Sequence, residues 1–116
     1  MITTHVLDTA LGRPAAGIPI ELERVAQESV FGGTTEWTMV GSGTSDADGR
    51  LRTLTGNAVE AGTYRLRFQT AVYFDTLRVK GFFPVVEIQF VVEDGAQHHH
   101  VPLLLSPYGY STYRGS

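Results

Sequence analysis

Residues 98–116 read His98-His99-His100-Val101-Pro102-Leu103-Leu104-Leu105-Ser106-Pro107-Tyr108-Gly109-Tyr110-Ser111-Thr112-Tyr113-Arg114-Gly115-Ser116: a strand, a tight Ser-Pro-Tyr-Gly corner and a second strand. Successive side chains on a strand point to opposite faces, so His99, Val101, Leu103 and Leu105 share one side while His98, His100, Pro102 and Leu104 share the other. The first set suits a core. The second holds two imidazoles on a face that packing alone does not favour, because an unpaired polar ring loses hydration when buried. The stretch closes on Tyr113-Arg114-Gly115-Ser116, an aromatic, a cation and a hydroxyl within four residues. Chain ends are ordinarily poor in such chemistry.

Working outward, the same alternation recurs along the chain. Ile2, Thr4 and Val6 share one face of a first strand over residues 2–8, and Thr3, His5 and Leu7 share the other. Leu11-Gly12-Arg13-Pro14 turns the chain. A strand over 18–25 places Ile18, Ile20 and Leu22 inside and Pro19, Glu21 and Glu23 outside. Residues 26–35, with Gly32-Gly33, read as a loop or hairpin, and 36–40 around Trp37 as a short strand. Asp46-Ala47-Asp48-Gly49 is a turn, since Asp side chains cap local backbone donors and Gly accepts positive φ. Arg50-Leu51-Arg52 leaves it as a short strand. From Gly62, Tyr64, Leu66 and Phe68 face in while Arg65, Arg67 and Gln69 face out. Between residues 72 and 80 the period of two breaks, and Phe74, Leu77 and Arg78 fall at helical spacing, predicting a short helix capped by Gly81. Residues 85–92 alternate again, and Glu93-Asp94-Gly95 turns into the closing pair. Seven or eight strands with one helix in 116 residues predict a single all-β domain over residues 1–116, a two-sheet sandwich.

Composition narrows the function. Nine basic against twelve acidic residues give a net charge of −3 without a Lys/Arg block, so a polyanion-binding surface is not indicated and nucleic acid is not expected as a partner. With no cysteine, disulfides, thiolate nucleophiles and cysteine-ligated metals are ruled out. No apolar run reaches membrane-spanning length, and Met1-Ile2-Thr3-Thr4-His5 lacks the basic and apolar regions of a signal peptide, so a cytoplasmic protein without membrane attachment is expected.

The residues able to do chemistry are few. His5 alone reads as a satisfied or surface histidine, but His98 and His100 also point away from the core, and three imidazoles suit either proton transfer or a zinc site with an open position for water. Asp46-Ala47-Asp48-Gly49 is not a calcium loop, because the sixth and twelfth positions hold Leu51 and Asn57 instead of Gly and Glu. Arg50, leaving that turn, carries a planar, permanent charge suited to a planar anion, although alone it reads as a surface arginine. No G-x-S-x-G elbow or phosphate-binding loop occurs.

The closing residues 100–116, HVPLLLSPYGYSTYRGS, resemble the C-terminal signature of the 5-hydroxyisourate hydrolases, the enzymatic branch of the transthyretin-like family. The resemblance extends through HVLD at 5–8, GRPA at 12–15, DGR at 48–50, GTYRLRF at 62–68 and FFPVVEIQF at 82–90. It implies a transthyretin-like sandwich of two four-stranded sheets with one helix, and a homotetramer, a dimer of dimers with active sites in the tunnel between dimers. It also implies hydrolytic opening of 5-hydroxyisourate to 2-oxo-4-hydroxy-4-carboxy-5-ureidoimidazoline in urate degradation, with no metal or cofactor. Carried over residue by residue, His5, Arg50, His100 and Ser116 match the catalytic positions. His98, Tyr113, Arg114 and Gly115 join His5, Arg50 and Ser116 in substrate binding, and Ser116 acts through its hydroxyl or a terminal carboxylate. In the hormone-carrying relatives the corresponding His, Arg and His positions hold other residue types and YRGS is absent. His99 departs from the hydrolases' frequent HYH triplet, on the face opposite His100. Two other readings stand beside the hydrolase: a non-catalytic carrier of a small aromatic ligand, and a zinc hydrolase of another cyclic amide.

Overall fold

The computed structural model describes residues 1–27 and 33–116. Two sheets face each other across one apolar core. The first is built around β1 (Ile2–Asp8) and β8 (His99–Ser106), which run parallel, with β9 (Gly109–Thr112) antiparallel on the far side of β8. On the other side of β1 lie two two-residue strands end to end: β2 (Arg13–Pro14) against Leu7 and Asp8, and β5 (Arg50–Leu51) against Thr4 and His5. The second sheet has the order β4 (Glu36–Thr44), β3 (Pro19–Gln27), β6 (Gly62–Phe68), β7 (Val86–Val92), all antiparallel.

Alternation decides which faces meet. Ile18, Ile20 and Leu22, then Tyr64, Leu66 and Phe68, are buried, as are His99, Val101, Leu103 and Leu105 on the facing sheet. Truncating a buried ring such as Phe68 to Ala costs about 3–5 kcal/mol at such sites. On the outer face of the second sheet Arg65 donates to both carboxylate oxygens of Glu23, from Nε at 3.0 Å and Nη2 at 3.2 Å, and its guanidinium lies 4.2 Å from the centre of the Trp37 ring. Asp8 ends β1 buried, and this is affordable because Tyr73 Oη donates to its Oδ2 at 2.6 Å and the Leu11 N–H to its Oδ1 at 2.9 Å. Burial, and then this carboxylate, push the Tyr73 hydroxyl up to about 12.

The sandwich departs from expectation at element ends. The first sheet has five strands in four ranks, because the turn expected at 11–14 folds its second half back onto β1 as β2. β4 continues to Thr44 and not Val40, and β8 begins at His99, with His98 just before it. The helix α1 occupies Thr70–Thr76, not 72–80. It starts early because Thr70 Oγ1 donates to Phe83 O at 2.6 Å and the Ala71 N–H to Pro84 O at 3.0 Å. It stops early because Arg78, not Gly81, takes the left-handed conformation (φ 55°), with the Arg78 and Val79 N–H groups returning to Asp75 O and Phe74 O. Gly81 answers a different need, since a Cβ there would lie 2.5 Å from the Phe74 ring. Of the loop expected at 26–35, residues 28–32 lie outside the described residues. Among the described residues no helix is long and apolar enough to cross a membrane.

Candidate active site

The parallel pairing of β1 with β8 brings the two ends of the chain together, with Thr3 opposite His100 and His5 opposite Pro102. On its other edge β1 meets β5, which sets His5 directly opposite Arg50. The turn before Arg50 fixes that register. Asp46 Oδ1 accepts the N–H groups of Asp48 and Arg50, both at 2.9 Å, and these donors, that of Arg50 foremost, hold its carboxyl below the usual carboxylate range. Gly49 closes the turn at φ 76°, where it passes so close to β1 that a Cβ would lie 2.3 Å from Val6 O, and its own carbonyl accepts the Val6 N–H at 2.7 Å.

Thr3, Arg50, Arg52, His98, His100 and Ser116 line one open cavity of about 200 Å³. His5 lies beside it through its pairing with Arg50, and its Nε2 bonds Asp48 O at 2.8 Å. A carbonyl can only accept, so His5 donates from Nε2 and its Nδ1 is the basic nitrogen. His100 is half-buried, with Nδ1 at 2.8 Å from Thr3 Oγ1. The same hydroxyl lies 2.7 Å from His98 Nε2, so one threonine bridges both imidazoles. Among the described residues His100 Nε2 has no hydrogen-bond partner, which leaves it available to a bound molecule. Burial holds the His100 imidazole below its ordinary value of 6.5, and the charges of His98, Arg50, His5 and Arg52 reinforce this. The arrangement is therefore a neutral base beside two arginines.

Gly115 brings the end of the chain to this base. Its N–H donates to His100 O at 2.8 Å, and a Cβ at this position would lie 2.6 Å from His100 Cδ2 and 3.3 Å from Pro102 Cγ. The zinc arrangement weighed above is not assembled: among the described residues no three of His, Asp and Glu are grouped to hold a metal ion, Thr3 occupies the space between His98 and His100, and His5 is engaged by Asp48.

A family model described as HIUase/transthyretin matches residues 2–115. The chain belongs to the HIUase/transthyretin family. A 5-hydroxyisourate hydrolase of Halalkalibacterium halodurans is 44% identical over 99% of this chain and 97% of its own length. The solved structure of Klebsiella pneumoniae 5-hydroxyisourate hydrolase superposes with a TM-score of 0.81 at 31% identity, covering 99% of this chain and 92% of that one. Transthyretin from Sparus aurata superposes at 0.85 with 28% identity over 98% and 95%. The hydrolase and the transthyretin thus share one sandwich, and their chemistry has to be read from side chains.

Within this HIUase/transthyretin sandwich the sequence-derived residues do not all converge. Arg50, His98, His100 and Ser116 share the cavity, and His5 borders it. Tyr113 and Arg114 do not reach it. They line a second, mostly apolar cavity of about 230 Å³ between the sheets, with Ile88, Phe90 and Val101, and Arg114 Nη2 donates to Gln97 Oε1 at 3.3 Å. His99, the departure from HYH, is buried with Nδ1 donating to Gln97 O at 3.0 Å, so the change stays on the core side. Four residues that line the cavity lie outside the sequence-derived set, Met1, Thr3, Thr4 and Arg52, and of these Thr3 and Arg52 bring polar side chains beside the histidines. Arg52 could have been found from Arg50-Leu51-Arg52, where period two puts both guanidinium groups on one face. Thr3 depends on the β1–β8 register, which no local signal carries.

Proposed function

We propose that this chain hydrolyses 5-hydroxyisourate, opening its cyclic amide to 2-oxo-4-hydroxy-4-carboxy-5-ureidoimidazoline. One observation carries the reading: a half-buried, neutral histidine with a free ring nitrogen shares a small cavity with two arginines and a serine. That set suits the acyl chemistry of an anionic, planar heterocycle. His100 Nε2 takes a proton from water as the water oxygen attacks the ring carbonyl. The carbonyl oxygen gains negative charge, and Arg50, assisted by Arg52, stabilises it while holding the anionic ring. As the C–N bond breaks, the proton held on His100 passes to the departing nitrogen, which restores the base. His5, held by Asp48 O, presents Nδ1 to orient the water, and the Ser116 hydroxyl hydrogen-bonds the substrate. Tyr113 and Arg114 anchor the strand end so that Gly115 can deliver Ser116 beside His100.

A homotetramer formed as a dimer of dimers, with sites at the dimer–dimer interface, belongs to the same proposal. It is supported by the openness of the cavity and by exposed Phe82 and Tyr108 on one subunit. The activity test is an absorbance assay on freshly generated 5-hydroxyisourate with spontaneous decay subtracted. His100→Asn is expected to lower kcat by about a hundredfold or more while leaving the fold intact. Parent-level turnover by folded His100→Asn would remove His100 from the mechanism.

A further inference from the structure

The Thr3 hydroxyl does more than fill space between two strands. It lies 2.7 Å from His98 Nε2 and 2.8 Å from His100 Nδ1, and Thr3 itself is only 4% exposed, so the bridge is part-buried. A hydroxyl has one proton to donate and two lone pairs to accept with; if both neutral rings donated to Thr3, its own proton would have no acceptor among the described residues, so two arrangements use every donor of the trio. In one, His98 donates to Thr3 and Thr3 donates to His100 Nδ1. His100 Nε2 then carries the ring proton and cannot act as a base. In the other, His100 Nδ1–H donates to Thr3 and Thr3 donates to His98 Nε2, and His100 Nε2 keeps its lone pair toward the cavity. Of these two, only the second lets His100 act as the base.

We infer that Thr3 is the positioning residue that sets the His100 tautomer and relays its proton to His98. The inference rests on the hydrolase reading above, since it assigns Nε2 as the base. Proton flow then balances in one concerted shift. Water gives a proton to His100 Nε2, His100 Nδ1–H passes its proton to Thr3 Oγ1, and the Thr3 hydroxyl proton moves to His98 Nε2. His98 becomes the imidazolium and His100 ends neutral with its proton on Nε2, ready for the departing nitrogen. When Nε2–H protonates that nitrogen, the shift reverses and the starting state is restored.

The physical reason for moving the charge is the difference between the two rings. His100 is half-buried and faces Arg50 and Arg52, an environment that penalises a positive charge, whereas His98 is exposed and water stabilises its cation. The register of the strands makes the bridge possible. Thr3 lies opposite His100 in the parallel ladder, and the His99 N–H donates to Met1 O at 2.8 Å, so His98 and His100 project to the same face on either side of the hydroxyl.

The test combines three variants with a readout independent of turnover. Thr3→Val keeps the side-chain shape and deletes the hydroxyl. It is expected to lower kcat by about a hundredfold with KM within about twofold, and Thr3→Ser to recover most of that loss. His98→Gln, at an exposed position, is expected to lower kcat at least about tenfold. Nitrogen-15 NMR of the histidine rings is expected to find His100 protonated on Nδ1 in the parent protein, and shifted toward Nε2 in Thr3→Val. A parent protein carrying the His100 proton on Nε2, or Thr3→Val with the parent kcat, overturns the relay. A parent protein that has the expected tautomer but does not turn over 5-hydroxyisourate overturns the substrate assignment instead.

Discussion

Gly115 is the residue where backbone and chemistry are most tightly joined. Its N–H holds His100 O, and it passes the imidazole so closely that any Cβ would occupy the space of His100 Cδ2 at 2.6 Å. Gly115→Ala must therefore displace either the ring or the closing residues. Because a misplacement of about 1 Å at a reacting group can cost about a hundredfold, a loss of kcat on that order is expected, with a much smaller effect on thermal stability, since Gly115 is only partly buried and residues 111–114 and 116 around it are exposed. Parallel melting curves and assays check this, and an active Gly115→Ala protein would show that the terminal contact does not position the base. The neutral state of His100 makes a second expectation. Its folded-state value is lowered from 6.5, first by burial and then by His98, Arg50, His5 and Arg52, and Thr3 and Ser116 complete its surroundings. The acid limb of a kcat/KM profile should accordingly fall below pH 6.5, and a limb at or above that value would contradict the assignment. The stability sign follows from proton counting. Just below pH 6.5 the unfolded chain binds the proton more readily than the folded one, so this group's contribution is present above 6.5 and is lost as pH falls through that window.

Among the elements, the Asp46–Gly49 turn with β5 does the most to build the site. Asp46 Oδ1 organises two backbone donors, Gly49 docks the turn on Val6, and Arg50 emerges opposite His5 while Asp48 O fixes the His5 tautomer. Asp46→Ala removes the acceptor and frees all three, so activity is expected to drop roughly tenfold or more, with Asp46→Asn, which keeps an oxygen acceptor, much less affected. Equal losses in the two variants would mean that the carboxylate charge, not turn geometry, matters. At this scale the sequence was readable wherever one short-range rule governed. Period two located the inner faces of β3 and β6, and Asp and Gly identified the turn before Arg50. It was unreadable where two demands competed for one residue. Gly81 looked like a helix cap but is small because Phe74 needs the room, and the cap fell to Arg78. The parallel register of β1 with β8 joins distant parts of the chain, so His100 and His5 can be singled out from sequence as unusual, whereas Thr3, a short polar side chain, carries no local signal of its own role.

At the scale of the molecule, the cavity on one subunit is open, and this bears on its chemistry. Arg50 and Arg52 act on a developing oxyanion most strongly where water is excluded, because the effective dielectric falls. A single subunit does not provide that enclosure. It does offer apolar surface to a second copy: Phe82 is 68% and Tyr108 73% exposed, Phe83 and Tyr110 pack edge to face beside them, and the edges of β7 and β9 have no strand partner among the described residues. Sedimentation velocity is expected to give four times the 12.7 kDa subunit mass. Tyr108→Glu, at the corner after β8, places a charge in that surface and is expected to yield smaller species with kcat/KM reduced more than about tenfold and the subunit fold retained, since an interface core tolerates no unpaired charge. The corner lies at the far end of β8 from His100, about 23 Å away at some 3.3 Å per residue. Direct contact between Tyr108 and substrate within one subunit cannot then account for lost activity. A Tyr108→Glu protein that is monomeric and fully active would mean that one subunit encloses its substrate unaided.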